Sequence, residues 1–359
     1  MRVPNPPLTL LIKPAAGLCN LRCAYCFYRA QREDAENRLM TAETLRALLD
    51  KIAAYAPAAV SVLFQGGEPT LAGLGFFRQF VAAAQTMLAA PVSYAIQTNG
   101  LLIDDAFASF FAEHDFLVGL SLDGDERTHD RSRRDDAGTG SYSRVLQAVE
   151  TLRRHGVQFN ILSVVNDENA ADLHTTWESF RKMDFRFLQF IPCVGAGTGA
   201  DLSAEAYARF LKESFDLWYA DYTAGRYVSV RHIDNYIGIL LGRPPENCAM
   251  RGVCGSYFVV EANGDLYPCD FYCTAAYKLG HISDPAPFAP SPRQQAFLRR
   301  SLAIHEKCRP CRYYLLCRGG CRRDRTADLL HNRYCEAYRA FFDYAAERMA
   351  EVAKSLSED

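Results

Sequence analysis

The chain has 359 residues, 49% hydrophobic and 12% aromatic, which suffices for one large core with a smaller appended unit or for two modest domains. A formal charge of −2 removes any bulk attraction to nucleic acid or an anionic membrane surface, and the basic runs Arg131-Ser132-Arg133-Arg134 and Arg322-Arg323 read as solvated faces. No signal-peptide pattern opens the chain and no apolar run approaches the roughly 20 residues of a membrane span, so a cytoplasmic protein is expected.

From Leu8 to about Cys193, short apolar runs alternate with segments of helical periodicity. Predicted strands are 8–12, 60–64, 92–96, 116–122, 157–165 and 185–191; predicted helices are 42–55, 76–88, 142–155 and 169–183. Repeated β-α units imply a parallel sheet with helices outside it. Six units are too few for a closed eight-stranded barrel, which leaves an open partial barrel or a doubly wound sheet. Two more helical stretches follow, near 204–223 and 232–241. From about Cys248 to Tyr334 the chain turns rich in cysteine, glycine and proline, the composition of a small unit held by metal. Residues 334–356 read as a helix that packs back on the body.

Thirteen cysteines are the compositional outlier. In a long chain without a secretory signal, such density points to metal binding or catalysis. Cys19-x3-Cys23-x2-Cys26 lies just after the first predicted strand. Three thiolates on one loop can wrap one face of a [4Fe–4S] cube and leave its fourth iron without a protein ligand. A structural zinc ion would ask for a fourth donor from elsewhere. Farther on, Cys248-x5-Cys254-x14-Cys269 precedes Cys308-x2-Cys311-x5-Cys317-x3-Cys321 and then Cys335. Eight cysteines make two complete four-thiolate sets, enough for two fully ligated cubes or for two zinc sites. Cys193 and Cys273 are left over.

Polar motifs close the predicted strands: Gln65-Gly66-Gly67-Glu68-Pro69 after the second, Asn99-Gly100 after the third, and Ser121-Leu122-Asp123-Gly124 after the fourth. Sites in β/α folds gather at those strand ends. Taken alone, Gly-Gly-Glu-Pro is also a plausible turn, and Ser121 and Asp123 could serve only to shape theirs.

The cysteine triplet, followed by Phe27-Tyr28 and the Gly-Gly-Glu-Pro element, resembles the radical SAM superfamily. That resemblance implies that the open iron chelates S-adenosyl-L-methionine, and that Tyr25, Gln65, Gly66, Gly67, Glu68, Asn99, Ser121 and Asp123 surround it. It implies a partial (β/α)6 barrel over 1–230. Over 231–359 the pattern is similar to a cysteine-rich SPASM domain with two auxiliary clusters. By that resemblance Cys248, Cys254, Cys269 and Cys321 hold one, and Cys308, Cys311, Cys317 and Cys335 hold the other. With Cys19, Cys23 and Cys26, that makes three [4Fe–4S] clusters.

Within the superfamily, the stretches Leu11-Ile-Lys-Pro-Ala-Ala, Leu188-Gln-Phe-Ile-Pro-Cys, Tyr267-Pro-Cys-Asp-Phe-Tyr and Cys317-Arg-Gly-Gly-Cys-Arg-Arg are similar to the anaerobic sulfatase-maturating enzymes. The resemblance implies oxidation of a cysteine or serine of a sulfatase to Cα-formylglycine, with Asp270 as the base. It also implies an unfolded Cys/Ser-x-Pro-x-Arg segment as substrate, a flavodoxin or ferredoxin as electron donor, and a monomer. One alternative is a maturase that crosslinks a ribosomal peptide by thioether or carbon–carbon bonds. The eighteen residues before Cys19 leave no room there for the leader-binding domain that many such enzymes carry. A second alternative, from another class, is a non-catalytic iron–sulfur or zinc protein.

Overall fold

The computed structural model describes residues 4–28, 39–193, 201–326 and 330–358. Its strands in chain order are β1 (Leu8–Ile12), β2 (Val60–Phe64), β3 (Val92–Thr98), β4 (Leu117–Ser121), β5 (Phe159–Val165), β6 (Phe187–Pro192), β7 (Ser229–Val230), β8 (Phe258–Val260), β9 (Asp265–Tyr267) and β10 (Gly280–His281). Two compact units interleave along the sequence. One comprises Met1–Ser121, Arg133–Phe159 and Gly255–Phe297; the other comprises Leu122–Ser132, Asn160–Cys254 and Leu298–Asp359.

In the first unit the strand order is β10-β9-β8-β1-β2-β3-β4. β1 pairs in parallel with β2, from Leu8 opposite Val60 to Ile12 opposite Phe64, and β2–β3 and β3–β4 continue in the same sense. The intervening helices make this possible. Ala42–Tyr55 starts where the Thr41 hydroxyl accepts from the Thr44 N–H at 3.1 Å, and it buries Leu45, Leu48, Leu49 and Ile52 on one stripe. Phe64 is fully buried, with the rings of Phe77 and Phe80 edge-on at 5.1 Å each. The sequence reading did not place Phe258-Val-Val in this sheet. It does pair, in parallel with β1, because all three residues are apolar and buried, and Val259 and Tyr267 pack against Leu11.

In the second unit β5, β6 and β7 run parallel in that order. Helix Cys335–Glu358 packs on Ala204–Thr223 and Arg231–Leu240, seating Phe341 and Phe342 among Phe215 and Tyr236. The continuous helix expected over 169–183 breaks at Asp172 into Asp167–Ala171 and Leu173–Lys182. Helices Asp105–Glu113 and Pro292–Leu302 were not anticipated. The first is opened by Asp104, whose carboxylate accepts from the Phe107 N–H at 2.9 Å. The basic runs are not wholly solvated faces either: Arg133 is 6% exposed and Arg322 only 1%. No helix among the described residues is long and apolar enough to cross a membrane.

Candidate active site

Strand ends of the first unit bring the amino-terminal cysteine loop against the Gly-Gly-Glu-Pro segment. Gln65 N–H donates to the Ile12 carbonyl at 3.0 Å, Gly67 N–H to Ala16 at 2.8 Å, and Glu68 N–H to Leu18 at 2.7 Å. These three bonds tie the chain after β2 to the residues leading into Cys19. Glycine is required here for physical reasons. Gly66 has φ +130°, and a Cβ on Gly67 would sit 2.1 Å from the Leu18 carbonyl oxygen.

Glu68 is buried, yet its carboxylate is fully engaged. Oε1 accepts from the Thr70 N–H at 3.1 Å, the Thr70 hydroxyl at 2.6 Å and the Thr98 hydroxyl at 2.7 Å; Oε2 accepts from the Asn99 N–H at 2.7 Å. Burial raises its pKa, and these donors work against the rise. Glu68 therefore locks the end of β2 to the end of β3, leaving backbone as what this segment can offer a ligand. Asn99 extends the lock to the cysteine loop, its Nδ2 donating to Asn20 Oδ1 at 2.7 Å and lying 3.7 Å from Cys19 Sγ.

Cys23 is buried, and Cys19 and Cys26 are partly exposed. The Cys26 N–H donates to the Cys23 carbonyl at 3.1 Å and the Leu21 N–H points at Cys19 Sγ at 3.4 Å, so the loop curls around its own sulfurs. Tyr25 is buried under the Arg133 guanidinium, 5.4 Å from its ring centre. Ser121 is partly exposed at the end of β4. Asp123 lies in the second unit, buried, accepting from the Val164 N–H at 2.8 Å. Its carboxylate thus holds the backbone of β5.

Asp270 sits in a buried polar cluster of the first unit. Oδ1 accepts from the Tyr28 hydroxyl and lies 3.2 Å from Lys13 Nζ, while Oδ2 accepts from Gln65 Nε2 at 3.1 Å. Lys13 has no exposed side-chain surface, and it also donates to Glu261 at 2.8 Å and to Cys273 Sγ at 3.3 Å. Burial alone would lower the Lys13 pKa, but the charges of Asp270 and Glu261 outweigh it and raise the value. Tyr28 is pushed well up by burial and then by Asp270, and Cys273 by burial, so both are neutral donors at neutral pH. Cys273 spends its S–H on the Cys269 carbonyl at 3.7 Å. Tyr257 lies between the adjacent residues, its hydroxyl 3.4 Å from Cys269 Sγ and 3.5 Å from the Asp270 nitrogen. Sequence reasoning did not single out Lys13, Tyr257 or Glu261. The available signal was a lysine directly following an otherwise apolar strand, a position that is costly unless carboxylates meet it.

In the second unit Cys308, Cys311, Cys317 and Cys335 line a single cavity of about 510 Å³, together with Tyr313 and Phe342. Burial raises the Cys317 thiol to about 11, and the neighbouring Cys308, Cys311 and Cys335 add to the rise. Four mutually repelling sulfurs around one space are a donor set that a cationic iron–sulfur core would stabilise as thiolates. Burial and then Cys254 raise the Cys248 thiol, and the backbone N–H of Arg322, next to Cys321, bonds Cys254. Among the described residues no three His, Cys, Asp or Glu side chains close on a single-ion site. A cube spreads its thiolates over separate corners rather than converging them on one atom, and the four cysteines around this cavity fit that demand.

The radical SAM superfamily model matches residues 15–179. The cysteine-type anaerobic sulfatase-maturating enzyme of Clostridium perfringens (strain 13) is 38% identical, with 98% of this chain and all of that protein aligned. The serine-type enzyme of Klebsiella aerogenes is 33% identical over 94% of this chain and 84% of its own length. Among solved structures, native anSMEcpe with bound AdoMet and the Cp18Cys peptide superposes with a TM-score of 0.92 at 39% identity, covering 98% of this chain and 100% of that one. Streptococcus suis SuiB bound to S-adenosylmethionine shares the fold, with a TM-score of 0.62 at 18% identity over 91% of this chain and 76% of its own.

Proposed function

Because the chain belongs to the anaerobic sulfatase-maturating enzymes of the radical SAM superfamily, we propose that it oxidises a cysteine of an unfolded sulfatase segment to Cα-formylglycine. Cysteine is chosen over serine because the cysteine-type relatives are 38% identical and the serine-type ones 30 to 33%. The substrate motif would be Cys-x-Pro-x-Arg, with a small low-potential electron donor such as flavodoxin or ferredoxin.

We assign the open cube to Cys19, Cys23 and Cys26, and the two closed ones to Cys248, Cys254, Cys269 and Cys321 and to Cys308, Cys311, Cys317 and Cys335. When bound, the open cube and S-adenosylmethionine supply the 5′-deoxyadenosyl radical that removes a hydrogen atom from the substrate Cβ. The glycines after β2 let backbone approach the cofactor, and Asn99 sets the cysteine loop. The radical SAM function is assigned to 1–230 and the SPASM function to 231–359.

The observation that carries the mechanism is the carboxylate of Asp270, fixed by Tyr28, Gln65 and Lys13 beside Cys269. A carboxylate has about four acceptor positions. Three are taken, and the fourth, on Oδ2, is open to the S–H of a substrate cysteine. After Cβ loses its hydrogen atom, Asp270 takes the thiol proton and one electron leaves the substrate. This makes a C=S bond, and water then replaces sulfur to give the aldehyde and hydrogen sulfide. Removing the proton makes the radical a stronger reductant, so base and electron loss act together.

The test is anaerobic incubation with Cys-x-Pro-x-Arg and Ser-x-Pro-x-Arg peptides, read by mass. The thiol-to-aldehyde change on the cysteine peptide is expected, and a crosslink would redirect the assignment to a peptide maturase. Asp270→Asn should still release 5′-deoxyadenosine while product falls by about 10²-fold or more; near-normal product would remove Asp270 as the base.

A further inference from the structure

The short helical turn Arg322–Asp324 follows Cys321 directly and carries an arginine that is 1% exposed. Three residues on, Arg325 is 5% exposed, and its Nη1 is pinned by the carbonyls of Ser301 at 3.0 Å and Ala303 at 2.8 Å. The hydroxyl of that same Ser301 accepts from the Cys254 N–H at 2.9 Å. Arg322 thus adjoins Cys321 and Arg325 shares Ser301 with the Cys254 backbone, so two guanidiniums, which stay charged at any accessible pH, are buried with these cysteines in one compact unit. Asp324 is the buried carboxylate of the same turn, a charge of the opposite sign.

We propose that Arg322 and Arg325 raise the reduction potential of the closed cluster assigned above to the set that includes Cys254 and Cys321, making it a stronger electron acceptor. This rests on the assignment of that cluster made above. A cube with four thiolates is negatively charged and gains one further negative charge on reduction, so a nearby buried cation stabilises the reduced form more. The electron is the one leaving the deprotonated substrate radical as C=S forms; its proton goes to Asp270, and the cluster is reduced by one electron. Arg322 and Arg325 touch neither substrate nor S-adenosylmethionine and act only through the potential they impose.

The test is a potentiometric titration of the full, iron-reconstituted chain, following the spin signals of the reduced clusters. Adding S-adenosylmethionine perturbs the open cube's signal and so marks it out from the other two. Arg322→Gln should weaken electron acceptance by one of those two about tenfold, a fall of about 59 mV for one electron. Arg322→Lys keeps the charge and should stay near the wild-type value. Asp324→Asn at pH 8 should move the same signal upward. Equal shifts for Gln and Lys, or no shift in any variant with about twelve irons bound, overturn the proposal alone. A wild-type chain holding only about four irons overturns the auxiliary-cluster assignment, and this inference with it. Should Arg322→Gln fail to retain iron, an unmoved potential in Asp324→Asn is the refuting result.

Discussion

Lys13→Met removes the cation at the centre of the buried cluster around Asp270 while keeping an unbranched apolar stem. Lys13 has no exposed side-chain surface, and its carboxylate partners Glu261 and Asp270 are 17% and 6% exposed. Taking one partner from a buried ion pair costs about 3–5 kcal/mol, because the remaining charges are left uncompensated. The lost contact with the Tyr28 ring, 4.6 Å from Nζ, adds roughly 0.5–2 kcal/mol. At about 2 °C per kcal/mol for a large chain, the melting temperature should drop by roughly 7–14 °C. Adding Glu261→Gln should recover part of the loss, since the double variant buries one charge fewer. The functional signature is distinct from the stability loss. Asp270 loses one of its three donors, so formylglycine formed per 5′-deoxyadenosine released should fall even below the melting transition, where the variant is folded. Calorimetry and paired product quantification on the reconstituted enzyme read both effects. A melting temperature within a degree of wild type, together with an unchanged product ratio, would refute the reasoning.

Gly67→Ala drives a Cβ to within 2.1 Å of the Leu18 carbonyl, so equilibrium dialysis should show S-adenosylmethionine affinity at least tenfold weaker; Gly75→Ala, with nothing within 4 Å, should bind normally. Cys317→Ala should lower bound iron from about twelve to about eight per chain, and unchanged iron would dissolve the cluster assigned to that cavity. His232 is buried against Phe190 and Phe210, and burial lowers its pKa from 6.5 to about 4. It is neutral in the folded protein, so its contribution is complete above pH 6.5 and is lost as pH falls toward 4, by about 3 kcal/mol. Denaturant titrations of His232→Phe should show a flatter decline over that window; an identical pH dependence would show that His232 does not titrate there.

What the sequence made legible followed from period and spacing. Leu8–Ile12 and Val60–Phe64 form strands with the expected bounds because short, mostly apolar runs of that length suit strands that bury most of their side chains. The four cysteines Cys308, Cys311, Cys317 and Cys335 line one cavity because their close spacing confines them to one short stretch and the helix start beside it. Less legible was anything that depended on contacts between distant residues. Asp123, a candidate cofactor contact, is held by the β5 backbone, and Glu68 spends its carboxylate on Thr70, Thr98 and Asn99. Lys13 and Asp270 are separated by most of the chain, so nothing local marks them as partners. Arg322 looked like one more surface charge in a basic run, and only the packing around Cys254 reveals it as buried.

The proposed chemistry starts from one cube shared by Cys19, Cys23 and Cys26 with a vacant iron. Mössbauer spectra of iron-57 enriched enzyme, recorded with and without S-adenosylmethionine, address that iron directly. One iron of one cube should change its environment on addition while every other iron stays as it was. A spectrum that does not respond, or zinc in place of iron at those three thiols, contradicts the account at its foundation.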